Sequence, residues 1–62
     1  MIGDRIKDLR EKKGMDLKTL SKKSGICLSS LYGYENNKHT PNAITCYKLA
    51  KVLGCEYSDL VE

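Results

Sequence analysis

With 62 residues and a formal net charge of +3, the chain is long enough for one small domain, read as residues 1–62. No window reaches the roughly 18–20 apolar residues of a membrane span and no signal-peptide pattern opens the chain, so a cytoplasmic protein is expected. The three cysteines, Cys27, Cys46 and Cys55, include no C-x-x-C pair, and the one histidine, His39, has no ligand-type neighbour at zinc spacing; neither a metal site nor a disulfide framework is expected.

Turn signals cut the chain into five short helical segments. Ile2, Ile6 and Leu9 recur at i, i+4 and i+7 and predict a first helix over about 2–13. Lys12-Lys13-Gly14 closes it, since cations suit a helix C-terminus and glycine suits the left-handed position beyond. Asp16 is a good N-cap for a second helix over 17–24, carrying Leu17 and Leu20 and stopping at Ser24-Gly25. Ile26 then sits in a tight connection, and Cys27 stands at the cap position of a third helix over about 28–36. Asn37 is the next most tolerant residue after glycine for a left-handed helix end, so "ENNK" is a stop. Thr40-Pro41 looks like a restart, threonine capping and proline first in a fourth helix over 41–53. That helix carries Ala43, Cys46, Leu49, Ala50 and Leu53 and ends at Gly54, and a last turn over 57–61 brings Leu60 back to the core. The expected fold is all-α, with Cys46 and Cys55 in the core.

Charge is unevenly spread. Before Pro41 nine basic residues face five acidic ones, a net +4, while the remainder carries two basic and three acidic residues, a net −1. That bias suits a polyanion on the N-terminal part, and a plain lysine-rich surface accounts for it equally well. No paired carboxylates, nucleophile–base set or phosphate loop is present, so an enzyme, a cofactor or a small-molecule ligand is not expected.

Helices two and three are joined by Ser24 to Cys27, a turn of about four residues containing glycine, which is helix-turn-helix spacing. The line "MDLKTLSKKSGICLSSLYGYENNKHTPNAITCYKLAKVLGCEYSDL", Met15 to Leu60, resembles the lambda-repressor-like (Cro/C1, XRE-type) DNA-binding domains. Leu20, Gly25, Ile26, Glu35, Asn36, Lys38, Pro41, Ala50, Leu53, Gly54 and Leu60 fall in register with that family's pattern without a gap. The resemblance implies a compact five-helix domain with the motif in helices two and three. It implies a transcriptional regulator, repressor-like, that reads double-stranded operator DNA as a homodimer with helix three in the major groove. It also implies a structural pair between Arg10 and Glu35.

On helix three, at 100° per residue, Leu28, Ser29, Tyr32, Gly33 and Asn36 share an arc of about 140°, opposite the core residue Leu31. Leu28, Ser29, Tyr32 and Gly33 are the base-facing candidates; Lys18, Asn36, Lys38, His39 and Thr40 are the phosphate candidates. The departures from the family pattern lie on this face. Leu28 can touch a thymine methyl but cannot make a bidentate hydrogen bond, Gly33 offers only backbone, and Leu17 replaces a common phosphate-binding glutamine. A competing reading takes Leu17, Leu28 and Tyr32 as an apolar face for protein interaction or dimerisation. For the homodimer that the resemblance implies, Ile44, Tyr47, Tyr57 and Val61 are the interface candidates, with ordinary surface exposure as the alternative.

Overall fold

The computed structural model describes residues 1–61 and places them in five helices: α1 (Ile2–Lys12), α2 (Leu17–Ser24), α3 (Leu28–Glu35), α4 (Ala43–Leu53) and α5 (Tyr57–Val61). Glu62, counted above in the charge of the tail, lies outside the described residues.

Every helix sends at least one apolar side chain to a common core of Ile6, Leu20, Leu31, Leu49, Ala50, Leu53 and Leu60, each at most 4% exposed. Ile2, Leu9, Met15, Leu17, Ile26, Tyr34, Val52 and Cys55 pack round its edge. Cys46 is buried as well, and burial pushes its thiol and that of Cys55 up from their ordinary range, so both behave as small apolar residues.

The helix ends use one device repeatedly. After α1, α3 and α4 a residue enters the left-handed region: Gly14 at φ 69°, Asn37 at φ 58° and Gly54 at φ 70°. The next amide then reaches back five residues, Met15 to Arg10, Lys38 to Gly33 and Cys55 to Ala50, at 2.9–3.1 Å. These bonds satisfy carbonyls that the helix itself leaves unpaired, and they fix the direction in which the chain departs.

Three predicted boundaries are corrected. Lys13 is the C-cap of α1 and not its last residue, and α3 ends at Glu35 with Asn36 as its cap. The larger correction is at α4, whose cap is Asn42 and not Thr40: the Asn42 side chain accepts the Thr45 amide at 2.9 Å. Pro41 is buried ahead of the helix, and Thr40 stays exposed in the loop.

Two contacts hold α1 in place. Arg10 meets Glu35 through two parallel hydrogen bonds, Nε to Oε2 at 2.7 Å and Nη2 to Oε1 at 3.0 Å. Its remaining Nη1 donates to the Met15 carbonyl at 2.7 Å. At the other crossing Gly3 is buried, and a side chain there would overlap the carbonyl oxygen of Tyr34. The glycine lets α1 and α3 approach backbone to backbone.

Candidate nucleic-acid interface

The corner between α2 and α3 is built from hydrogen bonds within a few residues of sequence. Gly25, left-handed at φ 73°, caps α2 by donating its amide to the Ser21 carbonyl. Ser21 Oγ donates to the Ile26 carbonyl at 2.6 Å, and Ser24 Oγ donates to the Leu20 carbonyl at 2.7 Å. Ser24 Oγ also accepts the Ile26 amide at 3.3 Å, so both serine hydroxyls tie the turn to α2, and Ile26 packs against the core edge. Cys27 stands as the N-cap of α3, exposed and without a side-chain cap hydrogen bond.

α3 is anchored on one side only. Leu31 is fully buried, Tyr34 is half-buried, and Glu35 is held by Arg10. The hydrogen bond from Arg10 to Glu35, outweighing the cost of desolvation, raises the guanidinium above its ordinary range and keeps it charged. The opposite side is open: Leu28 is 41% and Tyr32 is 56% exposed, and Ser29 and Asn36 are exposed. Asn36 donates an amide hydrogen to the Tyr32 carbonyl at 2.8 Å.

Gly33 does not share that exposure, which corrects its placement on the open face. It is buried beneath the imidazole of His39, which reaches back from the α3–α4 loop and packs edge-to-face on Tyr34 at 4.8 Å. The competing apolar face is corrected in part. Leu17 packs against the core edge, so Leu28 and Tyr32 remain as its exposed members.

The phosphate candidates fall on two sides of α3. Lys38, His39 and Thr40 are exposed in the loop after it, and Lys18 is exposed at the start of α2. Among the described residues neither Lys18 nor Lys38 pairs with a carboxylate, so both charges are open to an anionic partner. A shallow groove between α2 and α3 is lined by Asp16, Lys18, Thr19, Ser21, Lys22 and Leu28. Thr19 and Lys22 join the candidates there; the sequence signal is helical spacing, Lys22 lying i+4 from Lys18 and i+3 from Thr19.

The amides at the start of α2 are less available than their position implies. Asp16 Oδ1 accepts the Thr19 amide at 2.8 Å, and this bond holds the carboxylate below its usual range. Because the folded pKa is the lower one, the cap's stabilisation is complete above the ordinary aspartate value near ~3.9 and is lost as pH falls through the folded value. Hydrogen exchange at the Thr19 amide, corrected for intrinsic rate, is expected to accelerate across that acid window. Asp16→Ala should show fast exchange at every pH; an exchange rate that is flat in the native protein would exclude the cap's role.

Among the described residues no three His, Cys, Asp or Glu side chains come together as a metal site. What is present is a pinned corner, a second helix with one side in the core and the other in solvent, and unpaired lysines flanking it. Those features define a helix-turn-helix domain of the DNA-binding kind.

The comparisons with known proteins agree. The helix-turn-helix family model HTH_3 matches residues 6–60, and the chain belongs to that family, of the XRE/Cro-C1 type. It is 34% identical over 56 residues to an uncharacterized HTH-type transcriptional regulator of Archaeoglobus fulgidus, covering 90% of this chain and 80% of that protein. It superposes with a TM-score of 0.96 on SinR, the master regulator for biofilm formation, solved in complex with DNA, at 36% identity and over the full length of both chains. The restriction-modification controller protein C.AhdI from Aeromonas hydrophila matches with a TM-score of 0.91 at 32% identity, over 95% of this chain and 89% of that one. The chain is thus an HTH-type DNA-binding transcriptional regulator, a class that acts without catalysis.

Proposed function

We propose that the chain is a repressor-like regulator that binds specific double-stranded DNA sequences as a homodimer, with α3 in the major groove. The observation that carries this reading is the half-open α3: core residues and the Arg10–Glu35 pair fix one side, leaving Leu28, Ser29 and Tyr32 exposed on the other. Ser29 and Tyr32 bring hydroxyls to base edges, and Leu28 brings an apolar surface to a thymine methyl. Lys18, Lys38, Asn36 and Thr40 contact phosphates on either side, fixing register without reading sequence.

Dimerisation uses a second face. Ile44 and Tyr47, one helical turn apart on α4, are 68% and 62% exposed. Tyr47 stacks on Tyr57 of α5 at 4.5 Å, and Val61, 45% exposed, follows one turn after Tyr57. A two-fold contact through this apolar surface fits a dimer whose two α3 helices enter successive major grooves. The reading places the protein in the cytoplasm with its DNA; three free cysteines and the lack of any described helix able to cross a membrane support that.

The test is a titration of random-sequence duplex DNA at increasing salt. Affinity is expected to fall steeply as salt rises, and Lys38→Ala should lower the slope of log K against log salt by about 1 without changing base preference. No binding at low salt would remove the reading. In sedimentation equilibrium Tyr47→Glu is expected to shift the protein to monomer; an unchanged mass would exclude the α4–α5 face.

A further inference from the structure

The notch at Gly33 and the His39 ring that fills it set this loop residue apart from the other phosphate candidates. Residue 33 stands at the flank of the open side of α3, next to Ser29 on the helical wheel. A Cβ built on Gly33 would overlap Nε2 of His39 and lie 2.8 and 3.0 Å from Cδ2 and Cε1. These ring atoms occupy the volume into which any other residue at position 33 would project. Nδ1 is farther from the glycine than these three atoms.

The ring is held from several directions. Tyr34 meets it edge-to-face, with the planes at 72°. The loop beneath it is tied to α3 by the left-handed Asn37 and by the Lys38 amide on the Gly33 carbonyl at 2.9 Å. His39 as a whole is still exposed, while its imidazole is positioned by Gly33 and Tyr34.

We propose that His39 is a specificity-determining residue. Its imidazole, delivered from the α3–α4 loop into the Gly33 notch, presents to the major groove the polar group that α3 lacks at that position. With Nε2 turned into the notch, Nδ1 is the ring nitrogen left to meet a base edge, through one hydrogen bond, whereas the neighbouring Lys38 meets phosphate as a point charge. The inference rests on the reading of α3 as the base-reading helix. It moves His39 from the phosphate contacts to the base contacts, and it makes Gly33 the residue that admits it.

The experiment begins with duplexes enriched by the native protein from a randomised pool. Affinities are then measured on a panel of single base-pair changes for the native protein, His39→Ala, Gly33→Ala and the double variant, each first checked for cooperative thermal unfolding. The native protein should discriminate about tenfold at one or two adjacent base pairs in each half-site through this contact. His39→Ala should flatten those positions and leave the others within about twofold. Gly33→Ala, whose methyl displaces the ring, should flatten the same positions, and the double variant should flatten them no further.

A uniform loss of affinity on every duplex with a lower salt slope would make His39 a phosphate contact and overturn the assignment. Unchanged base preference in both single variants would overturn it as well. If the native protein binds no duplex at low salt, the DNA-binding mode itself fails. If it binds with a preference that His39 does not touch, only this inference fails.

Discussion

Glu35→Ala is expected to destabilise the domain by about 1.5–3 kcal/mol, the range for losing hydrogen bonds to a charged group at a partly buried site. The Glu35 and Arg10 side chains are only 5% and 12% exposed, so the guanidinium left behind cannot recover its hydration without moving. At about 0.05–0.15 kcal/mol per residue a domain of 62 residues holds roughly 3–9 kcal/mol in all. The variant therefore loses a large share of its margin, and its melting temperature should fall by more than about 6 °C. Urea unfolding followed by circular dichroism measures this directly. The double variant Arg10→Met/Glu35→Leu should recover much of the loss, since an apolar pair of similar volume leaves no buried charge. Recovery will be incomplete, because the Met15 carbonyl loses the Arg10 Nη1 hydrogen bond. A loss below about 1 kcal/mol in Glu35→Ala would show that the pair only decorates the α1–α3 contact.

Gly3→Ala should destabilise by about 1–3 kcal/mol even though alanine is the better helix former by about 1 kcal/mol. The propensity gain and the steric cost oppose each other, and what the methyl would strike decides between them. Its neighbours are the Tyr34 carbonyl oxygen and carbon and Asn37 Oδ1, the last at 2.6 Å. A side-chain amide can rotate away, but a backbone carbonyl inside α3 can move only with its helix. α1 must then lift from α3, which also lengthens the Arg10–Glu35 hydrogen bonds at the far end of the same contact. If Gly3→Ala proved as stable as the native protein, backbone-to-backbone approach would not be what joins these helices.

Much of the architecture was legible because its determinants are local. Asp16 and Gly25 bracket α2 within the residues predicted for it, and the Asn37 stop needs only its own tolerance of positive φ. The start of α4 lies later than expected because two capping residues, Thr40 and Asn42, compete two positions apart, and the buried Pro41 between them belongs to the loop. The pattern that decides it is Asn42 with the Thr45 amide three residues on, which satisfies a free helical donor. The Arg10–Glu35 pair came from family resemblance alone; in the structure the two side chains meet through two hydrogen bonds.

What the sequence hides is close approach between distant segments. Gly3 looks like a weak helix residue until α3 is seen lying on it. Gly33 falls on the outward arc of a helical wheel, yet it is covered by a ring from a loop six residues on. Neither covering group can be named from spacing, because a glycine's missing side chain leaves no periodic mark. Exposure on α3 was better read: Leu28, Ser29, Tyr32 and Asn36 all lie open, as the arc predicted.

The stacked rings of Tyr47 and Tyr57 also give the molecule an optical signature. With no tryptophan or phenylalanine, four tyrosines carry its entire near-ultraviolet aromatic absorption. Two of the four lie 4.5 Å apart with planes inclined by 25°, close enough for their electronic transitions to couple. Ellipticity near 280 nm thus includes a contribution from the docking of the last helix, while the far-ultraviolet signal is dominated by the four longer ones. Heating can be followed at both wavelengths, with Tyr32 and Tyr34 of α3 adding their own contribution near 280 nm.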